Sequence, residues 1–114
     1  MAATAAMIAE LRRMCGLAAD DATYTTVVLT AYIERYPLVD SVGYDPDDDD
    51  WTATYNLYAA AVDVSLEQAA AVADRFDHSD NQGSFSMSQQ QRNYLGQAER
   101  YRGMADKQLA RLFT

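Results

Sequence analysis

One histidine, one cysteine and two prolines are all that this 114-residue chain has of those residues. A lone histidine, His78, cannot build a catalytic triad or a multi-histidine metal site within one chain. A lone cysteine, Cys15, rules out an internal disulfide and a cysteine metal cluster, and reads as a small buried helix residue. No apolar run approaches the roughly 20 residues of a membrane span. The start, MAATAAMIAEL, lacks both a basic opening and a long apolar stretch, so no signal peptide is read there. These features fit a chain made and kept in a cytoplasm. The sequence also lacks a Gly-rich phosphate loop and a convincing pair of catalytic carboxylates.

What is present is apolar, acidic and unevenly charged. Hydrophobic residues make up 49% of the chain, enough for one domain with one modest core over residues 1–114. The net charge is −8, but residues 1–90 balance at −11 and residues 91–114 at +3. A basic end on an acidic body suits ordered docking between protein surfaces. It argues against gripping DNA, which needs a concentrated basic face.

Helical spacing runs through most of the chain. Met7, Ile8, Leu11, Met14 and Cys15 mark a first helix over 4–15, with Gly16 as its C-cap. Asp20, Asp21 and Thr23 offer capping oxygens for a second helix. Val28, Leu29, Tyr32, Ile33 and Tyr36 form its stripe, and Pro37 stops it. A third helix is expected over 51–76, with Tyr55, Ala59, Val62, Leu66, Ala69, Ala73 and Phe76 as a heptad-like seam rich in alanine. Residues 77–86 read as a turn or short β-hairpin that Phe76 and Phe85 could pin. The last helix is expected over 86–110, opened by Ser86 or Ser84, with Gln89 placed for a capping box after Ser86. Its seam is Tyr94, Ala98, Tyr101, Ala105 and Leu112, with Leu109 beside it. The fold expected is all-α: a small bundle of about four helices, with the turn or hairpin between the two long ones.

Between the second and third helices lies LVDSVGYDPDDDD, residues 38–50. Six aspartates fall there: Asp40, Asp45, Asp47, Asp48, Asp49 and Asp50. Mutual repulsion predicts a solvated, mobile loop unless a basic partner pairs with it. The aspartates nearest Trp51 would also favour the positive end of the third helix. A calcium loop starting at Asp45 fails at both discriminating positions: the sixth is Asp50, not glycine, and the twelfth is Asn56, not glutamate. The eight tyrosines lie mostly on helical stripes, which favours packing over base stacking. Arg100 and Arg102 flank Tyr101, as a solvated face or a contact patch.

From Trp51 to about Arg102 an Ala-rich helix leads into Phe76-Asp77. A turn with Asp80 and Gly83 follows, then Phe85-Ser86-x-Ser88-Gln89, and then a helix carrying alanine and Tyr101-Arg102. This stretch resembles the head–tail connector (adaptor) proteins of tailed bacteriophages, also found in prophages and gene-transfer agents. Asp80-Asn81-Gln82-Gly83 stands where an Asp-Gly pair is expected, and Met87 where a basic residue is.

The resemblance implies a non-enzymatic structural subunit without a cofactor. It implies a self-assembled ring, usually twelve-fold, located in the virion neck beneath the portal protein. That ring would extend the DNA channel without sequence-specific DNA contact and present a platform to the stopper or tail-completion protein. The C-terminal tail, 107–114, would dock on the portal, with Lys107, Arg111, Leu112 and Phe113 as the contact candidates. The alternative on composition alone is a small helical protein–protein interaction module or regulator outside the virion.

Overall fold

The computed structural model describes residues 3–77 and 81–112, with side chains for 3–72 and 89–109. Four helices follow in order: α1 Ala5–Cys15, α2 Thr26–Ile33, α3 Leu57–Asp77 and α4 Asn81–Leu112. Among the described residues there is no strand, only an isolated antiparallel bridge between Pro37 and Tyr55. The all-α expectation holds. The molecule measures 56 × 31 × 18 Å. Its long dimension follows from α4, whose 32 residues span about 48 Å at 1.5 Å rise. Neither long helix is long and apolar enough to cross a membrane.

α1 forms as its sequence predicts. Thr4 caps its start by accepting from the Met7 N–H, and Ile8, Leu11, Met14 and Cys15 are buried. Gly16 takes φ +67°, a left-handed conformation that costs glycine nothing. The helix leaves four C-terminal carbonyls without helical partners, and the fold supplies one for each. Gly16 and Leu17 N–H donate to Arg13 and Arg12 in a Schellman closure. The Tyr101 hydroxyl on α4 donates to Met14 O at 2.9 Å, and the Gln68 amide on α3 donates to Cys15 O at 3.3 Å. The end of α1 is thus a polar junction for both long helices.

The turn into α2 is ordered by Asp21, whose Oδ1 accepts from Thr23 and Tyr24 N–H at 2.8 Å each. The helix cap is therefore Thr25, and not Asp20, Asp21 or Thr23 as expected. Arg12 spans the turn, donating to the carbonyls of Ala18 and Tyr24 at 2.9 Å.

α3 begins at Leu57, six residues later than expected. Trp51 to Asn56 is instead an extended strap with β-favouring Thr52, Thr54 and aromatics. Leu38 N–H donates to Thr54 O at 2.8 Å, and Asn56 N–H to Tyr36 O at 2.9 Å. Trp51 is buried, its indole N–H donates to Leu38 O at 2.8 Å, and its ring meets Tyr55 edge-on. Asn56 then caps α3 through Oδ1, which accepts from the Ala59 N–H.

The inner face of α3 is rotated from the expected seam. Ala61, Val64, Ser65, Gln68 and Val72 are buried, whereas Leu66 is 39% exposed and Ala59 only half-buried. Val62 and Ala69 hold their expected burial. The displacement has a cause: two of the core positions, Ser65 and Gln68, are polar and read as surface in a hydrophobic pattern. Ser65 accepts from Gln97 Nε2 of α4 at 2.7 Å.

α4 starts at Asn81, so 81–86 is helical and leaves no room there for a β-hairpin. Only residues 78–80, outside the described residues, separate the long helices; connections of this length are ordinary between antiparallel helices. Ser86 and Gln89 accordingly lie within the helix, not at its start. Gln89 donates to Asn93 Oδ1 at 3.4 Å. The α4 seam holds where its side chains are described: Ala98 and Ala105 are buried, and half-buried Tyr101 stacks on Tyr58 at 6.1 Å, while the Leu112 side chain lies outside the described residues.

The core lies where α1, α2, the strap and the base of α3 meet, around Leu11, Leu29, Ile33 and Val64, all fully buried. Each such side chain contributes about 1.5–3 kcal/mol of burial.

Two outcomes are expected. Replacing Asn56 with alanine removes the cap at Ala59 and the Nδ2 bond to Ala105 O, lowering stability by about 1–3 kcal/mol. Urea titration would read this as a lower midpoint with an unchanged slope. Cys15, whose thiol burial pushes up to about 11 against a weaker pull from Ser65, should resist thiol reagents in the native state. At pH 8 its modification should be at least ~100-fold slower than in denaturant.

Candidate interaction surfaces

The acidic segment is built around one carboxylate. Asp40 is 5% exposed, and it takes four backbone N–H groups. Its Oδ1 accepts from Val42 at 3.0 Å and from Gly43 and Tyr44 at 2.9 Å each, and its Oδ2 accepts from Thr52 at 2.9 Å. Gly43 takes φ +105°, which a side chain would strain. Asp40 therefore ties the two ends of the loop together, and is no member of a repelling set. The Thr52 N–H foremost, then those of Tyr44, Val42 and Gly43, hold its carboxyl below the usual carboxylate value against the opposing effect of desolvation.

The remaining aspartates, Asp45, Asp47, Asp48, Asp49 and Asp50, are exposed on a tied loop rather than a free one. Asp48 N–H donates to Asp45 O at 2.9 Å, Trp51 N–H to Asp48 O at 3.0 Å, and Asp50 N–H to Asp48 Oδ1 at 2.9 Å. Because α3 starts at Leu57, these aspartates do not sit at its N-terminus as expected. Among the described residues, no three His, Cys, Asp or Glu side chains gather as a metal site would need. Asn56, the twelfth position of the tested calcium register, is committed to the core.

The other sequence candidates fall along the long helices. Phe76 and Asp77 close α3, and Gly83, Phe85, Ser86 and Ser88 belong to the first turns of α4, with side chains outside the described residues. Asp80 lies outside the described residues altogether. Gln89 is exposed. The described part of the motif thus lies at the end of α3 and in the first turns of α4, with no site geometry among its described atoms. Lys107 is exposed on α4. Arg111 and Leu112 occupy the last turn of α4, with side chains outside the described residues, as Phe113 is entirely. Lys107, Arg111 and Leu112 therefore continue a helix. Arg100 and Arg102 are exposed, and Arg100 lies 5.5 Å from the Tyr101 ring centroid.

A cavity of about 430 Å³ opens where Pro37 and Leu38 meet Val62 of α3 and Ala105 and Leu109 of α4. Arg102 and Asp106 line one side of it. On the other, Asp63 pairs with Arg35 at 3.2 Å and accepts from the Tyr36 hydroxyl. Sequence reasoning missed this groove, on which Leu109, expected beside the seam, is 41% exposed. It also missed Asn56; its signal was an amide side chain directly before Leu57-Tyr58-Ala59-Ala60, a helical run. Further exposed apolar side chains are Val27, Val42, Leu66, Leu95 and Met104. No protein-family model, curated protein or solved structure matches this chain.

The Asp40 geometry sets a pH dependence. Its folded pKa is depressed, so its stabilisation is complete above the unfolded value near 3.8 and is lost as pH falls through the folded value. Asp40→Asn should remove this part of the acid-induced loss. Urea midpoints from pH 7 down to pH 2.5 would show a shallower acid limb in the variant than in the native chain.

Proposed function

We propose that this chain is a structural head–tail connector subunit of a tailed bacteriophage, acting as an adaptor ring between the portal and the stopper or tail-completion protein. The observation that carries the reading is the pattern from Trp51 to Arg102: an Ala-rich helix, the Phe76-Asp77 to Gln89 motif, and a second long helix with Tyr101-Arg102. The fold is compatible with it. The subunit is a slab only 18 Å thick with two long antiparallel helices, a shape that packs side by side around an axis. A ring repeats each modest contact at every subunit, so small interfaces add up to a stable assembly. Leu66, Leu95 and Leu109 leave apolar surface on the long helices for such contacts.

The charge distribution supports a direction. Exposed Arg92, Arg100, Arg102 and Lys107 concentrate basic charge along α4, towards the C-terminal contact candidates. The acidic loop and body carry the opposite sign, which suits rims and a channel wall that does not hold DNA.

The test is reconstitution. Mixing the purified chain with purified portal protein should give a complex of defined stoichiometry in analytical ultracentrifugation. Lys107→Glu combined with Arg111→Glu should weaken that complex about tenfold, chiefly through faster dissociation or slower encounter. Failure to bind at any salt or concentration, together with absence of the chain from purified particles by mass spectrometry, would overturn the reading.

A further inference from the structure

α4 carries a second seam, one residue out of phase with the one that packs on α3. Arg92, Leu95, Glu99, Arg102, Asp106 and Leu109 follow one another at 3, 4, 3, 4 and 3 residues, the spacing of a helix face that meets another helix. The inner seam buries Ala98 and Ala105, whereas all six residues of the outer one are exposed. Its two leucines, Leu95 and Leu109, stand among the exposed large apolar side chains. Among the described residues, none of its four charged side chains makes an ion pair or a hydrogen bond. Their charges are unspent within one copy.

The order of those charges decides what fits against them. Along the helix they run positive at Arg92, negative at Glu99, positive at Arg102 and negative at Asp106. Read backwards, the row has the opposite sign at every place. A second copy of α4 laid antiparallel therefore sets Arg92 against Asp106 and Glu99 against Arg102, and two-fold symmetry makes each pair twice. Both pairings fall in one register to within a helical turn. Laid parallel and in register, every charge would meet its like. In the antiparallel register, Leu95 of the second copy faces Ala105, at the groove lined by Val62 and Leu109. Gly96 and Gly103 flank the row, and a methyl group at either would meet no described atom within 4 Å. Each costs about 1 kcal/mol against alanine in a helix, and a facing helix can come close there.

We infer that two copies of this chain pair antiparallel through the outer seam of α4, as an isologous dimer. The contact is one helix pair, smaller than a standard interface, and its ion pairs are exposed, so the dimer is weak and sensitive to salt. Leu95 and Leu109 also belong to the apolar surface assigned above to ring contacts. The dimer is therefore a state of the free chain that ring assembly has to open. It does not itself rest on the connector reading.

Sedimentation equilibrium of the isolated full chain, from micromolar to millimolar concentration, tests it. A monomer–dimer equilibrium that weakens as salt is raised is expected. Glu99→Arg puts like charges at both symmetric pairs and should weaken the dimer at least about tenfold, as should Arg102→Glu, with helix content by circular dichroism unchanged. The double variant, Glu99→Arg with Arg102→Glu, exchanges the two signs and should return pairing to near its native strength. That rescue belongs to this seam meeting itself antiparallel, because a contact with any other face would not be restored. A chain that stays monomeric throughout, one that passes directly to larger rings, or a double variant as weak as the single ones would overturn the assignment. Portal binding is read separately by the reconstitution, so the two proposals can fail independently.

Discussion

Asn56 joins three separate parts of the chain. Its N–H donates to Tyr36 O before the strap, its Oδ1 caps α3 at Ala59, and its Nδ2 reaches Ala105 O on α4 at 3.3 Å. The residue is 1% exposed, so none of these bonds can be exchanged for water. Burial is what gives the arrangement its weight: a stranded polar group in the interior costs more than a made hydrogen bond gains. The strap, the starting point of α3 and a contact between α3 and α4 all meet at this one residue.

The same logic recurs at the far side of the core. The C-terminal carbonyls of α1 are matched by Tyr101 of α4 and Gln68 of α3, and Ser65 meets Gln97. Apolar burial around Leu11, Leu29 and Val64 supplies the general drive to collapse. It does not select among rotations of an alanine-rich helix, because alanine looks alike on every side. The directional bonds of Ser65 and Gln68 select one. Asp40 plays the corresponding part for the acidic loop, holding a backbone that would otherwise be free to spread its charges.

These nodes also organise the surface. With α3 turned to bury Ser65 and Gln68, Leu66 faces outward, and the long helices leave apolar surface beside basic residues of α4. The Asp40 knot presents five exposed aspartates on a tied loop at the strap. The molecule thus carries acidic and basic regions at different places.

The amino-acid sequence by itself determined the helical class, the α1 span with its Gly16 cap, the α4 seam through Ala98 and Ala105, and the charge polarity, whereas α2 ends at Ile33, short of the Tyr36 that Pro37 was expected to close. Each of those rests on spacing or conformational preference within a few residues. The start of α3, its rotation, the burial of Asp40 and the α4 start at Asn81 were decided only by the tertiary structure. The reason is separation along the chain: the decisive partners are 49 residues apart for Asn56 and Ala105, 53 for Gln68 and Cys15, and 87 for Tyr101 and Met14. A polar residue reads as surface until the fold brings its partner to it, and that pairing has no local signature.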